Sequence, residues 1–283
     1  MRRFVILFLC VISMYHSFAT NVTELSEDSI RVCRLLSEAS MLSADANKML
    51  FFSKSFIGSP YVARTLEIND EEKLVVNTRQ FDCTTFVETV MALILCLEGG
   101  QNTFSGYKKA LTNIRYRKGL IDGYTSRLHY FSDWIDDNVK MGIVSELQSP
   151  IPLFASVQKL QLNYMSTHPE KYKALNIRPQ LIEGIRKAEQ ALSGKLCRYI
   201  PKSLIGNQDV LRKVVADGDI IAIVCDKRGL DVAHLGIAVW HADGLHLLHA
   251  SSSLGKIIED TQLLMEYMSQ NNNFLGVRVL RVH

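Results

Sequence analysis

The chain has 283 residues, 47% of them hydrophobic and 22% charged, which is ordinary globular material and excludes a disordered or fibrous protein. Its 32 basic side chains nearly balance 29 acidic ones, so charge gives no case for binding nucleic acid. No repeat, low-complexity tract or Pro/Gly-rich linker divides it, and a single domain is expected.

The N-terminus reads as a leader. Arg2 and Arg3 precede an apolar run from Phe4 to Ile12, and Ser17-Phe18-Ala19 fits a small-x-small cleavage site, so a signal peptide over residues 1–19 is expected. The run is too short to span a bilayer, and Cys10 lies inside it rather than after it, so no stable membrane anchor is expected. Residues 20–283 would then carry 30 basic and 29 acidic side chains and five cysteines, Cys33, Cys83, Cys96, Cys197 and Cys225. An odd count in an oxidising compartment leaves at least one thiol unpaired, and Cys33 with Cys197 is one conceivable pair.

Between about residues 26 and 55, apolar residues recur at helical spacing (Ile30, Cys33, Leu36, then Met41, Ala44, Met49), predicting one or two amphipathic helices. An extended apolar run, Leu74-Val75-Val76, then gives way to a helical stretch from Phe86 to Leu97. The segment from about 105 to 200 reads as a mostly helical insertion, with helices over 107–115, 132–139, 169–175 and 179–192; the last has Pro near its start and Gly194 just past its end. Residues 218–224 and 231–240 read as buried strands, and a four-residue turn at 241–244 leads into a third at 245–250. The run 275–282 alternates apolar and polar residues for much of its length and reads as a strand closing the sheet. The fold class is therefore α+β, with helices grouped on an antiparallel sheet or small barrel.

The most informative feature is Phe81-Asp82-Cys83-Thr84-Thr85, which puts a cysteine at the start of the helical stretch with Asp82 as N-cap. A thiol there sees the positive end of the macrodipole and unpaired backbone N–H groups, so a lowered pKa is expected, with donors for an oxyanion close by. A lone cysteine on an apolar helix is by default a small core residue, a reading that suits Cys33 and Cys96. What lifts Cys83 above that default is a pair of histidines on the predicted hairpin, His234 and His249. With a four-residue turn, Trp240 pairs with Leu245 and Gly236 with His249, so His234 and His249 become diagonal neighbours on one face. With a two-residue turn His234 would lie four residues away along the strand, roughly 13 Å, beyond contact. Thiol, imidazole base and a second, orienting imidazole make a nucleophile–base–orienter relay. Gly236 and Ala238 on the same strand face would leave room for the Cys83 helix to pack closely.

These residues resemble the NlpC/P60 papain-like cysteine peptidases. The blocks Phe81–Glu88, Ser126–Trp134, Gly229–Gly236 and Leu248–Ser251 look like its amidase branch, formerly filed as a domain of unknown function, and the resemblance runs from about Tyr61 to the C-terminus. It implies a papain-like core and N-acetylmuramoyl-L-alanine amidase activity on peptidoglycan fragments, in their anhydro form, during wall turnover; the signal peptide adds the expectation of a periplasmic location, and a monomer is expected. It implies Cys83 as nucleophile, His234 as base and then acid, and His249 as orienting group. It also raises Arg127, His129, Tyr130 and Trp134 as substrate-binding candidates, an Arg gripping a carboxylate and an aromatic stacking on a sugar. Tyr61 is a further cleft candidate.

No metal or organic cofactor is expected. The histidines lack helical zinc spacing and the cysteines outside the leader include no C-x-x-C pair, so a His/Cys zinc site is a weak alternative. Two other functions stand beside the amidase. One is a γ-D-glutamyl-diamino acid endopeptidase, which reads a free amine through an acid such as Asp82 or Asp231; the other is a muropeptide-binding protein that has lost catalysis.

Overall fold

A computed structural model describes residues 26–283, so the predicted leader at 1–19 lies outside the described residues. In chain order the elements are α1 (Glu27–Ser40), α2 (Lys48–Lys54), α3 (Cys83–Glu98), α4 (Phe104–Arg115), α5 (Phe131–Lys140), β1 (Val144–Leu147), β2 (Ser156–Lys159), α6 (Tyr164–Thr167), α7 (Lys173–Ile177) and α8 (Leu181–Leu192). They continue as β3 (Leu196–Pro201), α9 (Gln208–Leu211), β4 (Ile220–Cys225), β5 (Val232–Trp240), β6 (Leu245–Ser251), β7 (Lys256–Leu263), α10 (Leu264–Ser269) and β8 (Phe274–Val282). The fold is α+β. Its eight-stranded antiparallel sheet runs β2-β3-β8-β4-β5-β6-β7, with β1 also paired to β8.

Both faces of the sheet are covered. Ile220 and Ala222 of β4, Leu235, Ile237 and Val239 of β5 and Leu248 of β6 share a core with α1 to α5, while Ile221, Ile223, Ala238 and Leu247 point into a second core closed by α9 and α10. Helix α3 is buried on nearly every side from Thr85 to Ile94, as a helix apolar all round must be. A fully buried ion pair, Arg115 Nε to Glu88 Oε2 at 2.7 Å, ties α3 to α4, and Arg115 also donates to the Val75 carbonyl.

Several expectations are corrected here. The predicted first helix exists, but it buries Val32, Leu35, Leu36 and Ala39, leaving Ile30 54% exposed and Cys33 on the surface; Met41 and Ala44 are likewise exposed. Leu74-Val75-Val76 runs on without pairing into the sheet, and the Val75 carbonyl accepts from Arg115. The segment 105–200 supplies three strands, β1 to β3, besides its helices, and 169–175 splits into a single 3-10 turn and α7. Strand β8 lies inside the sheet between β3 and β4 instead of closing it. Its polar alternation masks that position, because Arg278 is buried against Glu146, and Gly276 lets the Ile200 carbonyl approach to 2.1 Å from where a Cβ would stand. All five cysteines among the described residues are free.

Candidate active site

Cys83 is the first residue of α3. Asp82 caps that helix in a reciprocal box: its carboxylate accepts from Thr85 N–H at 2.8 Å, and Thr85 Oγ1 accepts from Asp82 N–H at 2.9 Å. The Cys83 sulfur lies against the backbone N–H of Leu235, the residue after His234. Cys83 and His234 line one cavity of about 180 Å3, walled also by His129, Tyr130, Tyr172 and Asp231.

The hairpin has the four-residue turn. Trp240 pairs with Leu245 and Ile237 with Leu248, which brings His234 Nε2 to 2.7 Å from His249 Nδ1 with the rings nearly perpendicular. Gly236 is indispensable to this arrangement: a Cβ there would stand 2.6 Å from Leu247 Cδ1 and 3.0 Å from His249 Cβ. The space beside Gly236 and Ala238 is thus filled by β6 side chains and the second core, and α3 packs on the opposite, Leu235/Ile237/Val239 face, contrary to the sequence expectation.

Electrostatics also depart from that expectation. Burial and the Asp82 carboxylate push the Cys83 thiol up to about 12, against the pull of Leu235 N–H and the Thr84 hydroxyl. The N-cap that starts the helix sets a negative charge beside the sulfur and so offsets the macrodipole. Burial, helped by His249, holds His234 down to about 3, so thiol and imidazole rest as a neutral pair. Burial also lowers His249, opposed by Asp260, whose Oδ2 is 3.4 Å from His249 Nε2.

The other predicted residues divide. Tyr61 stands beside the thiol, its hydroxyl raised by burial and by neighbouring Cys83 and Asp82. Half-buried, His129 donates from Nε2–H to the Tyr124 carbonyl at 2.9 Å, and desolvation and Arg127 hold it down to about 3. Tyr130 walls the cavity, but its hydroxyl is engaged by Glu189 and Met165 N–H. The Arg127 guanidinium is committed to Glu67 at 2.6 Å and Glu72 at 3.4 Å, so it ties down the loop before α3 and is not free to grip a ligand carboxylate. Trp134 is a correction: it is 0% exposed, stacked on Phe131 within the core, and cannot touch a substrate. Asp231 is 2% exposed and accepts from Ser132 N–H at 2.6 Å, capping α5 from outside, while Arg278 donates to the Ser132 hydroxyl.

Two residues at the site carry no sequence signal. Asp260, on β7, stands behind His249. Tyr267, on α10, packs edge-on to His249 at 5.3 Å, and burial with Cys83 nearby pushes its hydroxyl up to about 12. Among the described residues no group of three or more His, Cys, Asp or Glu side chains is placed to hold a metal, and no helix is long and apolar enough to cross a membrane.

Comparison with known proteins places this chain in a family. The family model described as AmiA-like, N-acetylmuramoyl-L-alanine amidase-like, matches residues 51–277. The crystal structure of an N-acetylmuramoyl-L-alanine amidase from Bacteroides uniformis is 41% identical over 83% of this chain and 99% of its own, with a TM-score of 0.78. A Bacteroides fragilis protein provisionally named a xylanase is 43% identical over 82% of this chain and 99% of its own, with a TM-score of 0.75. A Legionella pneumophila protein, 22% identical over 90% of this chain and 94% of its own with a TM-score of 0.67, shares the fold. No curated protein matches the chain. Matched over most of its length by that model, the chain belongs to the AmiA-like, N-acetylmuramoyl-L-alanine amidase-like family.

Proposed function

We propose that this protein is a periplasmic cysteine amidase of NlpC/P60 type, which hydrolyses the amide between the lactyl group of N-acetylmuramic acid and L-alanine in peptidoglycan fragments. Anhydro fragments released in wall turnover are the proposed substrates. The observation that carries the reading is the 2.7 Å contact of His234 with His249 at a cavity that also holds Cys83 at a helix start.

The chemistry follows from the proton positions. With Asp260 facing His249 Nε2, that nitrogen keeps its hydrogen, so His249 Nδ1 accepts from His234 Nε2–H. His234 Nδ1 is then a free lone pair for the thiol proton. Because the resting pair is neutral, proton transfer accompanies attack of the sulfur on the carbonyl carbon. The first-turn N–H groups of α3 receive the oxyanion. Collapse expels the L-alanyl amine, protonated by His234, and leaves a muramoyl thioester on Cys83. Water, activated by the same imidazole, then releases the carboxylate and restores the thiol.

Two other readings fare worse. An endopeptidase of this superfamily often reads a free amine through an acid, and here Asp82 and Asp231 are each turned to a helix N–H group. Glycoside hydrolysis needs two carboxylates flanking the bond; among the described residues Asp231 is the only acid lining the cavity of Cys83 and His234.

The test is mass spectrometry of defined anhydro-muropeptides and free stem peptides incubated with residues 20–283 and with the Cys83→Ala variant. Intact peptide released only by the unmutated protein supports the amidase. Cleavage within the stem would establish the endopeptidase, and silence from both proteins would sink the catalytic reading.

A further inference from the structure

The β5–β6 hairpin carries two more histidines, His241 and His246, whose rings meet edge-on at 4.7 Å. Each fastens one of two successive residues of β7. His241 Nε2 meets the Glu259 carboxylate at 2.5 Å, and the other oxygen of that carboxylate takes Lys54 Nζ at 3.1 Å. His246, only 4% exposed, donates from Nδ1–H to the Asp260 carbonyl at 3.0 Å. Its Nε2 lies 3.1 Å from Asp243 Oδ1, a bond that holds the exposed Asp243 carboxyl below the usual carboxylate range.

Asp260 needs such a fastening because regular strand pairing lets go of it. His246 pairs with Leu263 and Leu248 with Glu259, so Leu247 alone stands against Asp260, Thr261 and Gln262. A bulge takes residues out of the ladder and re-aims a side chain, often beside an active site. Here the re-aimed group is the Asp260 carboxylate. Its Oδ1 accepts from Gln262 N–H at 3.0 Å, and its Oδ2 stands 3.4 Å from His249 Nε2.

That last contact is longer than an ordinary N–H···O bond, and His249 Nε2 has no closer partner among the described residues. A small drift of the Asp260 backbone would therefore leave a buried ring nitrogen bare, at a cost that another tautomer escapes. Resting on the amidase reading above, we infer that His246 is a positioning residue for the reaction: its bond to the Asp260 carbonyl holds the β7 bulge so that the carboxylate faces His249. Period-2 alternation puts His246 and His249 on opposite faces of β6, as it does Leu248 and Leu247, which enter different cores. His246 thus reaches the catalytic imidazoles through the backbone of β7. The line of contacts runs from His246 to Asp260, His249 and His234, and ends at Cys83.

Two amides separate this role from packing. Asn carries its NH2 on the γ-carbon, as near the backbone as Nδ1, whereas Gln carries it one bond further out, where Nε2 stands. His246→Asn keeps a donor for the Asp260 carbonyl and should hold kcat on anhydro-muropeptides within about twofold of the parent. His246→Gln fills the space better but aims its donor at Asp243; kcat should fall about tenfold with KM unchanged, the low end of the loss expected for Asp260→Asn itself. In an Asp260→Ala background His246→Gln should cost nothing further, since it acts through that carboxylate. A packing role alone would reverse the order of the two amides, because Gln is the larger. Parental kcat in His246→Gln, an equal loss in His246→Asn, or an undiminished loss in the Asp260→Ala background would each overturn the assignment.

Nitrogen NMR of the His249 ring in the Cys83→Ala protein gives a readout without turnover. The Nε2–H tautomer should dominate with His246 or Asn in place and give way to a mixture with Gln; a His249 spectrum blind to His246 would also overturn it. Failure of the amidase reading looks different: the unmutated protein would hydrolyse no muropeptide while the His249 tautomer still followed the residue at 246.

Discussion

His234 Nε2 and His249 Nδ1 are 2.7 Å apart, and the carboxylate of Asp260 stands 3.4 Å beyond, on the far side of the His249 ring. The three groups stand in a row, so the proton on His234 is coupled through His249 to a carboxylate that does not line the cavity of Cys83.

Asp260→Asn tests that dependence. An amide can present its NH2 to His249 Nε2, which reverses both tautomers and turns a protonated nitrogen toward the thiol. The contact is long, so a loss in kcat of about 10- to 100-fold is expected, smaller than for a tightly bonded orienting carboxylate. KM should change little, and the acid limb of the kcat profile should move. An unchanged kcat with an unchanged pH profile would show that Asp260 is only a neighbour.

Asp82 has two effects that pull apart. Its side chain caps α3, and its charge raises the Cys83 thiol. Asp82→Asn keeps the cap, because Asn serves nearly as well, and removes the charge. The melting temperature should fall by little, while the midpoint of iodoacetamide labelling of Cys83 should move to lower pH and labelling at pH 7 should quicken. A midpoint that stays or rises would mean that Asp82 does not govern the thiol.

Gly236 is held by contact, not by backbone conformation. Gly236→Ala forces a methyl against Leu247 and the His249 Cβ, a crowding that costs about 1–3 kcal/mol and displaces the imidazole pair. Activity should fall further than the loss of folded protein accounts for. Stability within about 0.5 kcal/mol of the parent, with full turnover, would contradict the packing described around His249.

Much of the frame was legible because it rests on local rules. The apolar spacing located α3, α4, α5 and α8, Asp82 announced the start of α3, and the turn after Trp240 offered two registers, of which the four-residue one joins His234 to His249. What stayed hidden depends on partners distant in sequence. Nothing near Arg127 betrays Glu67 and Glu72, and nothing near Asp231 betrays Ser132 N–H, so both looked like free ligand-binding charges. Trp134 looked like a sugar platform because an aromatic's burial is not written in its neighbours. Arg278 disguised a central strand as a half-exposed one, since a buried charge paired across the sheet gives the same alternation as a solvent-facing one.

Two half-buried imidazoles make stability depend on pH in a definite direction. His129 and His234 are held down to about 3, whereas in the unfolded chain each titrates near 6.5. Between these values the unfolded state binds more protons, so the stability of the neutral rings is complete above about pH 6.5 and is lost as pH falls below it. Each ring should subtract at most about 2 kcal/mol by pH 5, with a limiting slope of about 1.4 kcal/mol per pH unit. Urea unfolding at pH 7.5, 6.5, 5.5 and 5 should show this decline. His129→Gln retains a donor for the Tyr124 carbonyl and does not titrate, so it should flatten the profile in that window. His129→Gln leaves the His234–His249 pair in place, so a residual slope should persist. A wild-type profile that is level from pH 7.5 to 5, or a variant that falls just as steeply, would mean that His129 is not held neutral in the folded protein.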